Sequence, residues 1–169
     1  MTAGPLIVTA SFGSGDDGWL QQLRRTHYPP EHNRVPAHLT LFRHLPPGLS
    51  RELSARLAQA AASPPPRARV AGIIDLGEGT ALRVESEELS EIRDSLAEAF
   101  HGLLMPQDLS SWRPHVTIQN KVAPREARAL QRRLRAGFES RPLAIRALAS
   151  WRYCEDGRWE PLRAHAFRG

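Results

Sequence analysis

Cysteine and lysine are nearly missing from this sequence, and long apolar runs are missing altogether. Cys154 is the only cysteine in 169 residues, so no intrachain disulfide can close and no cysteine-based zinc site can be built. Such a thiol reads as a small hydrophobe. Lys121 is the only lysine, yet the net charge is +5, so arginine supplies the surplus. Abundant Arg, Ala and Pro can reflect composition alone, whereas surplus guanidinium draws phosphate-bearing ligands; charge does not choose between the two. No segment approaches the roughly 20 apolar residues of a membrane span. Met1 to Pro5 shows no basic region followed by a long apolar run, so no signal peptide is expected, and a cytoplasmic protein without membrane contact is. Long polar tracts are absent too. With 41% hydrophobic and 24% charged residues, wholesale disorder is excluded. Histidines do not cluster with carboxylates at metal-ligand spacing, so neither metal nor cofactor is expected.

What is present reads as interleaved strands and helices. The length suits a single domain over residues 1–169, with a core that needs no staples and room for two lobes. Leu6 to Phe12 predicts a strand and Asp17 to His27 a short helix ended by Pro29 and Pro30. After a polar loop, Ala37 to His44 predicts a second strand. Ser50 is placed to cap a helix through Ala62, broken by Ser63-Pro64-Pro65-Pro66. Arg67 to Leu76 and Thr80 to Glu85 predict a hairpin around Gly77-Glu78-Gly79. Glu87 to Leu104 carries the clearest helical spacing, in Leu89, Ile92, Leu96, Phe100 and Leu103. Met105 to Pro114 predicts a loop leading into a strand over His115 to Lys121. Pro124 then opens a helix, and a hairpin over Leu143 to Tyr153 and Trp159 to Phe167 ends the chain. The class is α+β.

Two short motifs stand out, His38-Leu39-Thr40-Leu41 and His115-Val116-Thr117-Ile118. Alternate side chains of a strand share a face, so each motif puts an imidazole and a hydroxyl on one side and two apolar residues on the other. One such strand could simply face water. Two are harder to dismiss. Seven His and six Thr give about 0.25 chance occurrences of His-x-Thr, and two with apolar residues at all four remaining positions arise about once in a thousand such sequences.

These paired motifs resemble those of the two-histidine phosphoesterases, a superfamily that includes LigT-like 2′-5′ RNA ligases and cyclic nucleotide phosphodiesterases. The resemblance also covers the opening strand Leu6-Ile7-Val8-Thr9-Ala10, the run Val35 to Phe42, the run Arg113 to Ile118 and the final hairpin. It implies a bilobal α+β fold: two pseudo-symmetric lobes, each an antiparallel sheet with helices outside, and an active-site cleft between the sheets. It also implies a basic residue three positions after each motif Thr. Arg43 fits; Asn120 stands in the second place, followed by Lys121.

The chemistry is consistent with that resemblance. Opening a 2′,3′-cyclic phosphate needs a base for water and an acid for the leaving ribose oxygen. Two imidazoles titrating near neutrality supply both, and two Thr hydroxyls can donate to the non-bridging oxygens as charge builds. His38, Thr40, His115 and Thr117 are therefore the expected catalytic set, with the acid and base roles left open. Arg43 and Arg34 are candidates for phosphate binding. Phe12, Trp151 and Tyr153 are candidates for stacking on a base, each with a core role as the competing reading. Trp112 reads as a lid or loop anchor, and His27, His32, His44, His101 and His165 as surface or satisfied histidines without a functional role. The function expected is a metal-independent hydrolase, acting as a monomer on RNA ends or cyclic nucleotides. The alternatives are 2′-5′ RNA ligation, the same chemistry reversed, and a non-catalytic RNA-end binding module, which would not need two proton-transfer groups.

Overall fold

The periodicities resolve into β1 (Leu6–Phe12), α1 (Ser14–His27), β2 (Leu39–Leu45), α2 (Ser50–Ala60), β3 (Arg67–Asp75), β4 (Thr80–Glu85), α3 (Glu87–Ala99), α4 (Pro106–Leu109), β5 (His115–Gln119), α5 (Pro124–Ala136), β6 (Arg141–Tyr153) and β7 (Trp159–Ala166). These come from a computed structural model that describes residues 3–168. Helix ends depart from the sequence expectations for local reasons. α1 begins earlier because the Asp16 carboxylate ties its first turn to β6, accepting from the Ala144 N–H at 2.7 Å and from Arg141 at 2.8 Å. Ser50 lies inside α2, whose capping position is Leu49. α3 stops at Ala99 rather than Leu104, and Gly102 just beyond it has a φ of 85°. Its start is capped by Ser86, whose hydroxyl accepts from the Leu89 N–H at 3.1 Å, a stabilising geometry for an otherwise orphaned donor.

All strand pairings are antiparallel, in the order β2-β1-β6-β3-β4-β5, with β7 also paired to β6. The pairings fall into two antiparallel groups, β2-β1-β6-β7 and β5-β4-β3-β6, which share β6. Residues 141–144 of β6 pair with β3, while residues 145–152 pair with β1. A strand of 13 residues is long enough to serve both groups, so a single strand joins them into one seven-stranded sheet. The motif strands β2 and β5 are the two ends of the pairing path, and they return to within 8 Å of each other.

The motif backs fill the core. Leu39, Leu41, Val116 and Ile118 are buried to 1% exposure or less and belong to a hydrophobic cluster drawn from both halves of the chain. β2 carries an irregularity: Thr9 pairs with Thr40 but Val8 with Phe42. The slip sends Leu41 and Phe42 both into the core. It also offsets the alternation, so Arg43, three residues past Thr40, returns to the cleft rim rather than the opposite face. The turn at Gly77 to Gly79 is equally specific, since a Cβ at Gly79 would run into the Gln119 carbonyl at the end of β5. Among the described residues no helix is long and apolar enough to cross a membrane.

Candidate active site

The faces opposite the core converge. His38, Thr40, His115 and Thr117 all line one cavity of about 470 Å³. The two imidazoles are held in the same way. His38 Nδ1 lies 2.7 Å from the carbonyl of Pro36, and His115 Nδ1 lies 2.7 Å from the carbonyl of Arg113. A carbonyl can only accept, so each Nδ1 carries the hydrogen, and each Nε2 is the nitrogen left for the cleft. Pro36 and Pro114 restrict the backbone on the approach to each motif.

Neighbouring segments lock the two motifs to each other through side chains of which sequence patterns flagged only Trp112. Arg24 on α1, 3% exposed, donates to the Thr117 carbonyl at 2.7 Å, the Val35 carbonyl at 2.8 Å and the Asn33 amide oxygen at 3.1 Å. One guanidinium thus ties β5 to the segment that enters β2. The free edge of β2 is closed by the segment preceding β5. Trp112 Nε1 donates to the Thr40 carbonyl at 3.0 Å. Arg93 donates to the Leu41 carbonyl at 3.2 Å and the Asp108 carbonyl at 2.6 Å. The buried Asp108 carboxylate accepts from the Arg43 N–H at 2.9 Å and the His44 N–H at 3.0 Å. Trp112 is accordingly a loop anchor. An edge strand left with unpaired backbone groups would be pliable; here it is pinned on both sides.

The remaining sequence candidates divide. Arg43 and Tyr153 line the cavity. Phe12 does not: at 3% exposure it is a core residue, because it lies on the apolar face of β1. Arg34 is exposed and outside the cavity lining, since the polar loop before β2 turns it to solvent. Trp151 also lies outside the lining; its indole N–H is engaged by the Thr9 hydroxyl at 2.9 Å. His32 and His44, read from sequence as surface or satisfied histidines, border the cavity, as do Arg24, Tyr28, Gln107, Asn120 and Trp159. No residue pattern singled out Trp159, since its place depends on a hairpin folding back.

Among the described residues, every charged side chain lining this cavity is cationic. Burial pushes the His38 imidazole down to about 4; the bond to Pro36 opposes this, while Arg24, His115 and Arg43 add to it. His115 is also lowered, by burial first and then by Arg43 and Arg113, against its bond to the Arg113 carbonyl. Arg43 therefore acts on both imidazoles. Lowered in this way, both rings are neutral at neutral pH, each with its Nε2 lone pair left for a positively charged pocket. That arrangement suits an anion whose charge would raise both imidazoles towards protonation.

Comparisons with known proteins follow the same lines. A family model, that of the 2′-5′ RNA ligase superfamily, matches residues 13–157. Among solved structures, TT0787 of Thermus thermophilus superposes with a TM-score of 0.66 at 17% identity, covering 98% of each chain. E. coli LigT complexed with 3′-AMP gives a TM-score of 0.60 at 16% identity over 99% of each chain. The same protein complexed with NADP+ gives 0.60 at 16% over 98% of each. At such identities these likenesses speak to the α+β fold. No curated protein matches the chain in sequence.

Proposed function

The chain belongs to the 2′-5′ RNA ligase superfamily, and from that premise we propose that it hydrolyses 2′,3′-cyclic phosphodiesters of RNA ends or small nucleotides without a metal. The observation that carries the reading is the matched pinning of two imidazoles at Nδ1, which leaves each Nε2 free, on rings that line one shared cavity of about 470 Å³. One Nε2 takes a proton from water as the water oxygen bonds to phosphorus. The bond from phosphorus to a ribose oxygen breaks, and the other imidazole, protonated in the complex, gives its proton to that oxygen. Thr40 and Thr117 donate to the non-bridging oxygens, and Arg43 balances their charge. Cleavage at the 3′ oxygen leaves a 2′-phosphate. The nucleotides named in the LigT structures, 3′-AMP and NADP+, are in keeping with a nucleotide-sized ligand.

Ligation to a 2′-5′ linkage is the same site run backward with a 5′-hydroxyl in place of water, and the superfamily's name favours keeping it as the second reading. The deciding experiment incubates the protein with the four 2′,3′-cyclic nucleotides, and with an RNA ending in a cyclic phosphate, in EDTA. Turnover to the 2′-phosphate isomer is expected. Loss of activity in EDTA that a divalent ion restores would refute the metal-free mechanism, and no turnover on any of these substrates would refute hydrolysis.

A further inference from the structure

His38 and His115 are held alike at Nδ1, but among the described residues only His38 has an aromatic wall. The Trp159 ring stands 4.8 Å from the His38 ring, centroid to centroid, at 54°. Trp151 braces Trp159 edge to face at 6.0 Å and 64°, and Trp151 is itself pinned to Thr9 at 2.9 Å. The hairpin register explains the stack. Tyr153 pairs with Trp159 and Trp151 with Pro161, so Trp151 and Trp159 are diagonal neighbours on one face, a separation aromatic side chains span. A tight turn holds that register: the Cys154 N–H donates to the Arg158 carbonyl at 2.8 Å, and Gly157 sits at a φ of 86°, a conformation glycine takes without strain. Thr9 pairs in turn with Thr40, so the chain of contacts starts and ends beside the first motif.

We infer that Trp159 is a positioning residue for the two-histidine site, fixing the orientation of the His38 ring and keeping water from its outer face. The inference rests on the proposed phosphoesterase reading and deepens it. A single bond at Nδ1 restrains one edge of the imidazole, and a packed indole removes the remaining swing. Trp159 lines the same cavity as the four motif residues, yet it lies just beyond residue 157, where the family match ends. The titratable and charged groups facing the cavity around His38 are Arg24 and Tyr28 from α1, Arg43 and His44 from β2, His115 from β5 and Tyr153 from β6, with His32 from the loop before β2. Removing the indole leaves all of these in place and takes away shielding from water, the largest cause of the lowered proton affinity of His38. Loss of Trp159 should therefore raise the His38 midpoint towards its ordinary value.

The test has one readout without turnover and one with it. In the free protein, the His38 ring is titrated by NMR in the wild type, Trp159→Ala and Trp159→Phe. The wild-type midpoint should fall near 4, rise by a unit or more in Trp159→Ala and move far less in Trp159→Phe. With 2′,3′-cyclic AMP, the acidic limb of kcat/KM belongs to the imidazole of lower proton affinity whichever ring donates. It should move with the NMR midpoint, while kcat falls about 10- to 100-fold in Trp159→Ala and is largely kept in Trp159→Phe. Trp159→Gln, bulky but hydrated, carries the same expectation should the alanine variant fail to fold. An unmoved His38 midpoint overturns the inference. So does a rise in KM with kcat and the acidic limb unchanged, which would make Trp159 a base-stacking surface. A wild type that turns over no cyclic phosphate, while the NMR midpoint shifts as expected, would sink the proposed function and leave the positioning role standing.

Discussion

Replacing Arg24 with methionine isolates what holds the two motifs together. Methionine keeps much of the apolar stem but removes the donors that reach the Thr117 carbonyl, the Val35 carbonyl and the Asn33 side chain. Hydrogen bonds from a charged donor are worth about 1.5–3 kcal/mol each, but the buried guanidinium also loses hydration, which relieves part of the deficit. Three such bonds less that relief give a net loss of about 2–4 kcal/mol, or roughly 5–15 °C in Tm for a chain of this size. Activity should suffer as well, because Val35 and Thr117 belong to the two segments that carry the motifs; a misplacement near 1 Å can lower turnover about 100-fold. The Arg24 charge also lowers the proton affinity of His38, so the acidic limb of the pH–rate curve should move up. Thermal melts followed by circular dichroism, and kcat measured well below the new Tm, read both effects. Arg24→Lys keeps the charge but not the planar fork, and should fall between. A methionine variant that loses under about 1 kcal/mol and keeps kcat within about threefold would show that the bridge to Thr117 is not needed.

His38→Ala and His115→Ala should each slow hydrolysis by about 10² to 10⁴-fold. The double variant should be far less than multiplicatively worse, because the rings act as a pair; a fully multiplicative loss in single-turnover assays would separate them. Stability should fall with acid. The folded His38 takes its proton near pH 4 and the unfolded chain near 6.5, so its contribution is present above about pH 6.5 and is lost as pH drops towards 4. The loss is at most about 3 kcal/mol. Denaturant midpoints across that window should be flatter in His38→Asn, and equal slopes would remove His38 as the cause. Asp108→Ala leaves the Arg43 and His44 N–H groups unpaired at the β2 edge. It should cost about 2–3 kcal/mol and raise KM by loosening Arg43; an unchanged KM would mean that edge does not set the phosphate contact.

The strands and helices were largely legible because their apolar periods are strong: the motif backs Leu39, Leu41, Val116 and Ile118 are all in the core. Helix ends were less so. Asp16 extends α1 through a bond to β6, a partner distant in sequence, and α3 starts at Glu87 as its spacing predicts but stops at Ala99, short of Leu104.

By itself the sequence determined the class of fold and the four motif residues, because His-x-Thr on an apolar-backed strand is a local pattern with a period of two. It did not determine who joins them. Arg43 reaches the cleft through a slip in β2 pairing that no local rule announces. Phe12 and Trp151, equally aromatic candidates, are claimed by the core and by Thr9, while Trp159 is brought onto His38 by a hairpin register. Arg24, Arg93 and Asp108 look like ordinary surface charges until the fold buries them against backbone groups up to 93 residues away. Burial, long-range hydrogen bonding and strand register are properties of the folded ensemble of neighbours, so the supporting shell of this site was decided only by the tertiary structure.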